Sequence, residues 1–146
     1  MNRKRVWRYY CEFCKKSGCS AGHMKHHENN CTMNPNRKCG MCEYTENEQA
    51  SIVDLLKALK ADILEYKKDN TFDRYNEVGT YLMENVYSVP LNKLRNVSEG
   101  CPACILAAIR QSGISQSIEF DFKKEKEEFW AGYNESQKQD DYDWRF

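Results

Sequence analysis

Residues 11–42, CEFCKKSGCSAGHMKHHENNCTMNPNRKCGMC, contain six of the chain's eight cysteines and all three of its histidines. Over the whole chain, six cysteines form pairs of the type Cys-x-x-Cys, at Cys11/Cys14, Cys39/Cys42 and Cys101/Cys104. Two intervening residues allow both sulfurs of a short turn to bind one tetrahedral metal ion. This pattern predicts a protein that needs bound metal, with zinc as the expected ion, in order to fold.

The length and composition of the chain allow a modest core. It has 146 residues, of which 40% are hydrophobic, with seven Gly and three Pro, so wholesale disorder is not expected. No apolar run approaches the length of a membrane span, and the basic start of the chain leads into no apolar signal segment. We therefore expect a cytoplasmic protein, in which paired cysteines are metal ligands more often than disulfides. A secreted disulfide scaffold is the alternative left open.

The net charge of zero conceals an uneven distribution. Residues 1–44, here called the basic head, contain nine Lys and Arg against three Asp and Glu, whereas residues 45–146 contain thirteen against nineteen. A basic segment that carries metal ligands on an acidic body indicates that the head meets a polyanion. Small zinc modules are often basic for other reasons, so the charge is a supporting observation only.

The beginning of the chain predicts a hairpin followed by a helix. Residues 6–16 place strand-forming side chains around the first Cys pair, which suits a hairpin. Ser20 is in a position to cap a helix that reaches about Asn30. Pro35 cannot continue that helix and marks the first boundary.

The next segment predicts two long helices. Thr45 and Glu48 form a capping-box pattern that opens the first of them. Its apolar side chains recur at helical spacing, at Ile52, Leu55, Leu56, Leu59, Ile63 and Tyr66. Asp69 and its neighbours interrupt this helix. A second helix has its apolar face at Phe72, Tyr75, Val78, Leu82 and Val86.

The last third of the chain predicts two further helices. Pro102 is well placed in the first turn of one of them, and Gly113 is its expected end. The buried side of that helix is predicted at Ile105, Leu106 and Ile109. Residues 117–122 suit a short strand, and residues 123–139 a last helix. The predicted fold is therefore mainly α, with residues 1–34 as a small ββα unit, 35–139 as a helical domain and 140–146 as an acidic, aromatic tail.

The first metal site has a recognisable spacing. Twelve residues separate Cys14 from His27, and three more precede Cys31, which gives Cys-x2-Cys-x12-His-x3-Cys. Residues 6–33 thus resemble a classical zinc finger in its Cys-Cys-His-Cys variant. That family offers two thiolates from a hairpin turn and two ligands from one helix face. Met24 matches the apolar helix position of such fingers, whereas the family's aromatic residue after the second Cys is missing.

A rival assignment uses other ligands for the same ion. Cys11, Cys14, Cys19 and His23 have a spacing close to that of a compact zinc knuckle. His27 and Cys31 are the preferred ligands because they complete the finger's spacing. Both assignments stay open at the level of sequence.

The resemblance to a zinc finger implies contacts with nucleic acid. The positions by which such fingers contact base edges fall on Ser20, His23 and His26. Basic side chains around them would meet phosphates, at Arg3, Lys4, Arg5, Arg8, Lys15, Lys16 and Lys25. DNA is the expected partner ahead of RNA. Many fingers bind proteins instead, so a protein partner is the competing expectation.

The second metal site joins distant parts of the chain. Cys39 and Cys42 precede the first long helix, and Cys101 and Cys104 begin the third. An outgoing and a returning helix would bring the two pairs together at small cost in loop entropy. The resulting tetrathiolate is coordinatively full and therefore structural, so the sequence predicts two zinc ions in all.

Two enzymatic interpretations compete with these assignments. A Cys-Pro-x-Cys motif at a helix start also occurs in thiol oxidoreductases, but no parallel strands flank Cys101 here. The first two Cys pairs, bracketing the histidines, also resemble ββα-metal nucleases, although Glu28 is the only carboxylate nearby. We expect a non-enzymatic, zinc-dependent nucleic-acid-binding protein with a regulatory or accessory role, without a membrane or small-molecule substrate. The architecture is similar in style to bacteriophage zinc-finger proteins, which would place it in the host cytoplasm.

Overall fold

The computed structural model describes residues 1–69, 88–114 and 118–143. Within these residues the chain forms a two-stranded sheet and six helices. The elements are β1 Tyr9–Tyr10, β2 Ser17–Gly18, α1 Ala21–Asn30, α2 Gly40–Tyr44, α3 Ile52–Asp69, α4 Asn92–Val97, α5 Pro102–Gln111 and α6 Phe122–Asp143. The predicted fold class, mainly α with a strand-strand-helix start and a separate cluster of four cysteines, is confirmed.

The strands and the first helix form a unit with almost no apolar core. β1 pairs antiparallel with β2, with Tyr9 opposite Gly18. Ser20 is the N-cap of α1, and its hydroxyl accepts a hydrogen bond from the backbone N–H of His23 at 3.4 Å. Met24 is the only large apolar side chain in the small buried cluster of this described unit, whose other members are cysteines. So little buried area stabilises a fold only weakly, and metal ligation is the natural supplement.

The helical part has a larger core built from α3, α4 and α5. Leu55 and Leu59 of α3 pack against Leu94 of α4 and against Ile105 and Ile109 of α5. All five side chains are at most 2% exposed. The four remaining paired cysteines belong to this same core. A metal site there would lie inside the packed interior.

The predicted capping box at Thr45 is wrong. Thr45 ends α2, where its hydroxyl donates to the carbonyl oxygen of Met41 at 2.9 Å. The first long helix begins at Ile52 instead, and the hydroxyl of Ser51 accepts from the N–H of Asp54. Ser51 and Asp54 repeat the capping pattern, and α2 occupies the residues just before Thr45.

A carboxylate from α3 caps α4. Leu91 precedes α4 in a left-handed backbone conformation, with φ of 55°, and its own side chain offers no cap. The buried carboxylate of Asp62 accepts hydrogen bonds from the backbone N–H groups of Lys93 and Leu94, at 3.0 and 2.9 Å. The cap thus fastens α4 to α3 and supports the segment that leads to the third Cys pair.

The remaining expectations have mixed outcomes. Gly113 follows the end of α5 with φ of 78°, as expected for its predicted role. Leu106 is half-buried, unlike Ile105 and Ile109. The strand predicted for 117–122 is wrong at its end, where Phe122 begins α6. The predicted helix with Phe72, Tyr75, Val78, Leu82 and Val86 lies outside the described residues, as do residues 144–146 of the predicted tail. No helix among the described residues is long and apolar enough to cross a membrane.

Candidate metal centres

Four side chains of the basic head converge on one point, and we call this group the cysteine–histidine cluster. Its members are Cys11, Cys14, His27 and Cys31, whose ligand atoms all lie within 4.8 Å of one another. The Cys14 Sγ and His27 Nε2 atoms are 3.2 Å apart. The turn between β1 and β2 supplies the first two ligands, and α1 and its C-cap supply the other two. This arrangement is compatible with a tetrahedral zinc site.

The structure does not bring the rival ligands into this group. Cys19 and His23 are both exposed and lie outside the cluster. The set with His27 and Cys31 is therefore the one that the fold assembles.

Backbone N–H groups of the turn point at the sulfurs of the cysteine–histidine cluster. Phe13 donates to Cys11 Sγ at 3.4 Å, and Lys16 donates to Cys14 Sγ at 3.5 Å. The bond from Lys16 lowers the pKa of the Cys14 thiol, whereas burial raises the pKa of Cys31. N–H donors that stabilise a thiolate are the usual support of a metal-bound sulfur.

The second group is buried in the helical core, and we call it the four-cysteine cluster. Its members are Cys39, Cys42, Cys101 and Cys104, each at most 4% exposed. The Sγ atoms of Cys39 and Cys101 are 3.6 Å apart, as are those of Cys42 and Cys104. Four sulfurs bound to one tetrahedral zinc ion are about 3.8 Å apart, whereas a disulfide joins its sulfurs at about 2.05 Å. The observed spacing fits a metal site and does not fit a disulfide.

Each Cys pair of the four-cysteine cluster starts a helix. Cys39 is the N-cap of α2 and Cys101 the N-cap of α5, so the second Cys of each pair falls in the first turn. Gln49 fixes the first pair in place: its Oε1 accepts from the N–H of Cys39 at 2.6 Å, and its Nε2 donates to the carbonyl oxygen of Arg37 at 2.8 Å. As predicted, two Cys pairs that are distant in sequence thus meet in one cluster.

Arg37 is a buried cation beside the four-cysteine cluster. It is 8% exposed and donates from Nη1 to Cys104 Sγ at 3.7 Å. Burial alone would lower the pKa of its guanidinium, but the negative charge of Cys39 and the bond to Cys104 outweigh burial and raise it. A buried cation requires an anionic partner. A divalent ion held by four thiolates carries a net charge of −2 and fits this requirement, whereas two neutral disulfides do not.

Without a metal, the thiols of the four-cysteine cluster would have pKa values that differ from one another. Bonds from the thiols of Cys101 and Cys104 lower the pKa of Cys39, and burial raises the pKa of Cys42 to about 12. Bonds with Cys104 and Cys39 also raise the pKa of Cys101. One thiolate is therefore balanced by Arg37, and further thiolates need a bound cation.

The segment between the two clusters is held against α5. Arg110 donates to the hydroxyl of Thr32 at 2.9 Å, and Gln111 donates to the carbonyl oxygens of Thr32 and Asn34 at 2.8 and 3.2 Å. Asn34 in turn donates to the carbonyl oxygen of Glu28 in α1. The residues that link Cys31 to the four-cysteine cluster are thus fixed to the helix that carries Cys104.

The residues predicted to contact nucleic acid all lie on the surface. Exposed side chains are found at Arg5, Arg8, Ser20, His23, Lys25 and His26. Ser20 is engaged as the cap of α1.

The nuclease alternative fits less well, because the two Cys pairs that it requires at one metal ion fall into different clusters. Glu28, its only carboxylate, accepts a hydrogen bond from the N–H of Glu12.

Sequence reasoning missed Arg37 and Gln49 as parts of the four-cysteine site. Only the position of Arg37 two residues before Cys39 hinted at a role.

Comparison with known proteins identified no relative of the chain. No protein-family model, no curated protein and no solved structure matches the chain.

Proposed function

We propose that the protein binds two zinc ions, one in each cluster, and that both ions are structural. Thiolate and imidazole ligands in tetrahedral groups of four are the preference of zinc. Each cluster provides four protein ligands, so no coordination position is left for a substrate. The buried Arg37 beside the four-cysteine cluster is the observation that supports this metal assignment best.

We propose further that the protein is a non-enzymatic nucleic-acid-binding protein that binds through its basic head. The supporting observation is a run of exposed residues that contains both basic and aromatic side chains. Trp7 is 86% exposed and Tyr10 67%, and Arg5 and Arg8 flank Trp7 in sequence. Cationic side chains neutralise phosphates, and exposed aromatic rings offer stacking surfaces for bases. The resemblance of the ligand spacing to a zinc finger favours DNA over RNA.

A salt titration tests the proposal. The zinc-loaded protein is mixed with a fluorescein-labelled DNA, and the dissociation constant is followed by anisotropy as NaCl increases. Replacing Arg5 and Arg8 by Ala should weaken binding and reduce the slope of log K against log salt by about 0.7–0.9 per lost phosphate contact. Lys57 and Lys60, exposed on α3, provide the matched control, since replacing them by Ala removes the same charge outside the head. Equal effects of both double variants would contradict the proposal.

A protein partner is the second candidate. Val6 is 70% exposed beside Trp7, and neighbouring apolar side chains on a surface often mark a protein interface. This hypothesis predicts affinity that changes little with salt. Cleavage of plasmid DNA in the presence of magnesium, lost on replacing His26 by Ala, would instead support the nuclease alternative.

A further inference from the structure

A groove of about 950 Å³ separates the strand-strand-helix unit from the last helix. It is lined by residues of α1 and the segment after it, of α2, of the start of α5 and of α6. His26, one of the predicted base-contacting residues, is among the lining residues. The groove therefore continues from the surface assigned to nucleic acid into the helical part of the protein.

An exposed aromatic ring is held in this groove by two neighbours. Tyr44 is 69% exposed, although its ring makes edge contacts with Trp130 at 5.4 Å and with Tyr133 at 6.1 Å between centroids. Trp130 also lines the groove and is half-buried. Rings fixed in this way lose little conformational entropy when a flat ligand stacks on them. Tyr44 is thus a preorganised stacking surface.

The charges around the ring favour an anionic ligand. Lys38 and Lys126 both line the groove and are exposed, and neither side chain forms an ion pair within the described part of the chain. The ammonium group of Lys126 lies 5.8 Å from the centre of the Phe122 ring, another residue of the groove. Glu43 is the one carboxylate among the described lining residues. Two cations without a carboxylate partner among the described residues, close to an open aromatic ring, match a phosphate backbone that carries unpaired bases.

We propose that this groove binds single-stranded nucleic acid, with a base stacked on Tyr44 and the backbone following Lys38 and Lys126. The inference rests on the proposed function and specifies its ligand. A paired base in a duplex stacks on its neighbours and cannot lie flat on a protein ring, whereas an unpaired base can. Stacking selects an unpaired base without selecting its sequence.

The test compares a single strand with a duplex on the full-length, zinc-loaded protein. A labelled fifteen-nucleotide oligo-dT, the same length of oligo-rU and a duplex of that length are titrated by anisotropy. We expect at least one single strand to bind more tightly than the duplex. Tyr44→Ala should weaken that binding about 5- to 150-fold, as measured for base stacking on aromatic residues. Lys126→Ala should reduce its salt slope by about 0.7.

Matched controls lie outside the groove. Leu64→Ala removes an apolar side chain that is 59% exposed on α3, and Lys124→Ala removes a cation two residues from Lys126. Neither control should change binding more than twofold. Zinc content and circular dichroism verify that each variant is folded. If Tyr44→Ala does not fold, Lys126→Ala serves as the test.

Two results would overturn the inference and are distinct from failure of the proposed function. The first is that the duplex binds more tightly than both single strands. The second is that Tyr44→Ala and Lys126→Ala bind the single strand as tightly as their control variants do, while the double variant Arg5→Ala/Arg8→Ala loses affinity. Either would leave a head that binds nucleic acid and a groove suited to another ligand, such as a peptide. Absence of binding to all three nucleic acids would instead refute the proposed function together with the inference.

Discussion

Replacing Arg37 by Met should weaken zinc binding at the four-cysteine cluster. Methionine retains much of the volume of the side chain but removes its charge and the donor that lies 3.7 Å from Cys104 Sγ. Loss of a hydrogen-bonding partner behind a metal ligand typically costs 10- to 100-fold in metal affinity. That corresponds to about 1.4–2.8 kcal/mol. The larger penalty of about 3–5 kcal/mol for an orphaned buried charge does not apply, because zinc still neutralises half of the thiolate charge and the variant no longer buries a cation.

The affinity is measured by competition with a chromophoric chelator, and the site is identified with Co²⁺. A cobalt ion bound by four thiolates absorbs differently from one bound by three thiolates and an imidazole, so the two clusters are followed separately. Arg37→Lys keeps the charge without the planar guanidinium and should fall between wild type and Arg37→Met. Arg110→Met is the matched control, because Arg110 is exposed and donates to Thr32.

Zinc binding at the four-cysteine cluster of Arg37→Met that is as tight as in wild type, or tighter, would contradict this role of Arg37. The cluster would then carry no negative charge that needs the guanidinium. A loss confined to the cysteine–histidine cluster would equally contradict the assignment of Arg37.

Three further predictions concern protons, capping and an ion pair. Metal binding at the four-cysteine cluster should release protons at pH 7, because burial raises the pKa of Cys42 to about 12 and bonds with Cys104 and Cys39 raise the pKa of Cys101. Affinity should therefore rise with pH, and calorimetry in buffers of different ionisation enthalpy would contradict this by showing no release. Asp62→Ala should lower the free energy of unfolding by about 1–3 kcal/mol, since it leaves two N–H groups of α4 without their cap, and Asp54→Ala at the exposed start of α3 should cost less. The bidentate bond from Arg95 lowers the pKa of Glu125, so the pair should contribute about 1 kcal/mol above the ordinary carboxyl pKa of 4.5 and lose it as the pH falls below that value. Urea unfolding should show a constant difference in the free energy of unfolding between Glu125→Gln and wild type from pH 8 to pH 5. A difference that grows on acidification would contradict the predicted loss of this contribution at low pH.

Local patterns in the sequence indicated the candidate ligands of both clusters, but only the structure decided for His27 and Cys31 against Cys19 and His23. Cys-x-x-Cys spacing and the four-residue step from His27 to Cys31 are fixed by turn and helix geometry, so they can be recognised without the fold. Pro102 likewise indicates the start of the helix that carries Cys104. The pairing of distant Cys pairs followed because four soft ligands complete one tetrahedral site.

Features that depend on tertiary packing could not be predicted from local sequence patterns. α2 has five residues, too few for a hydrophobic period to show. α4 depends on Asp62, a cap that comes from another helix. Thr45 and Ser51 both begin capping patterns, and only the structure distinguishes them. Arg37 lies in an irregular segment, and its position near Cys39 does not indicate contact with a cysteine 67 positions away.

Native mass spectrometry of the intact protein tests most directly whether two metal ions hold this fold together. We expect two zinc ions on the wild-type chain, one on Cys101→Ser and one on Cys31→Ser, because each substitution removes a ligand from a different cluster. A wild-type chain without zinc that remains folded, or variants that both retain two ions, would contradict the assignment of the two clusters as structural zinc sites.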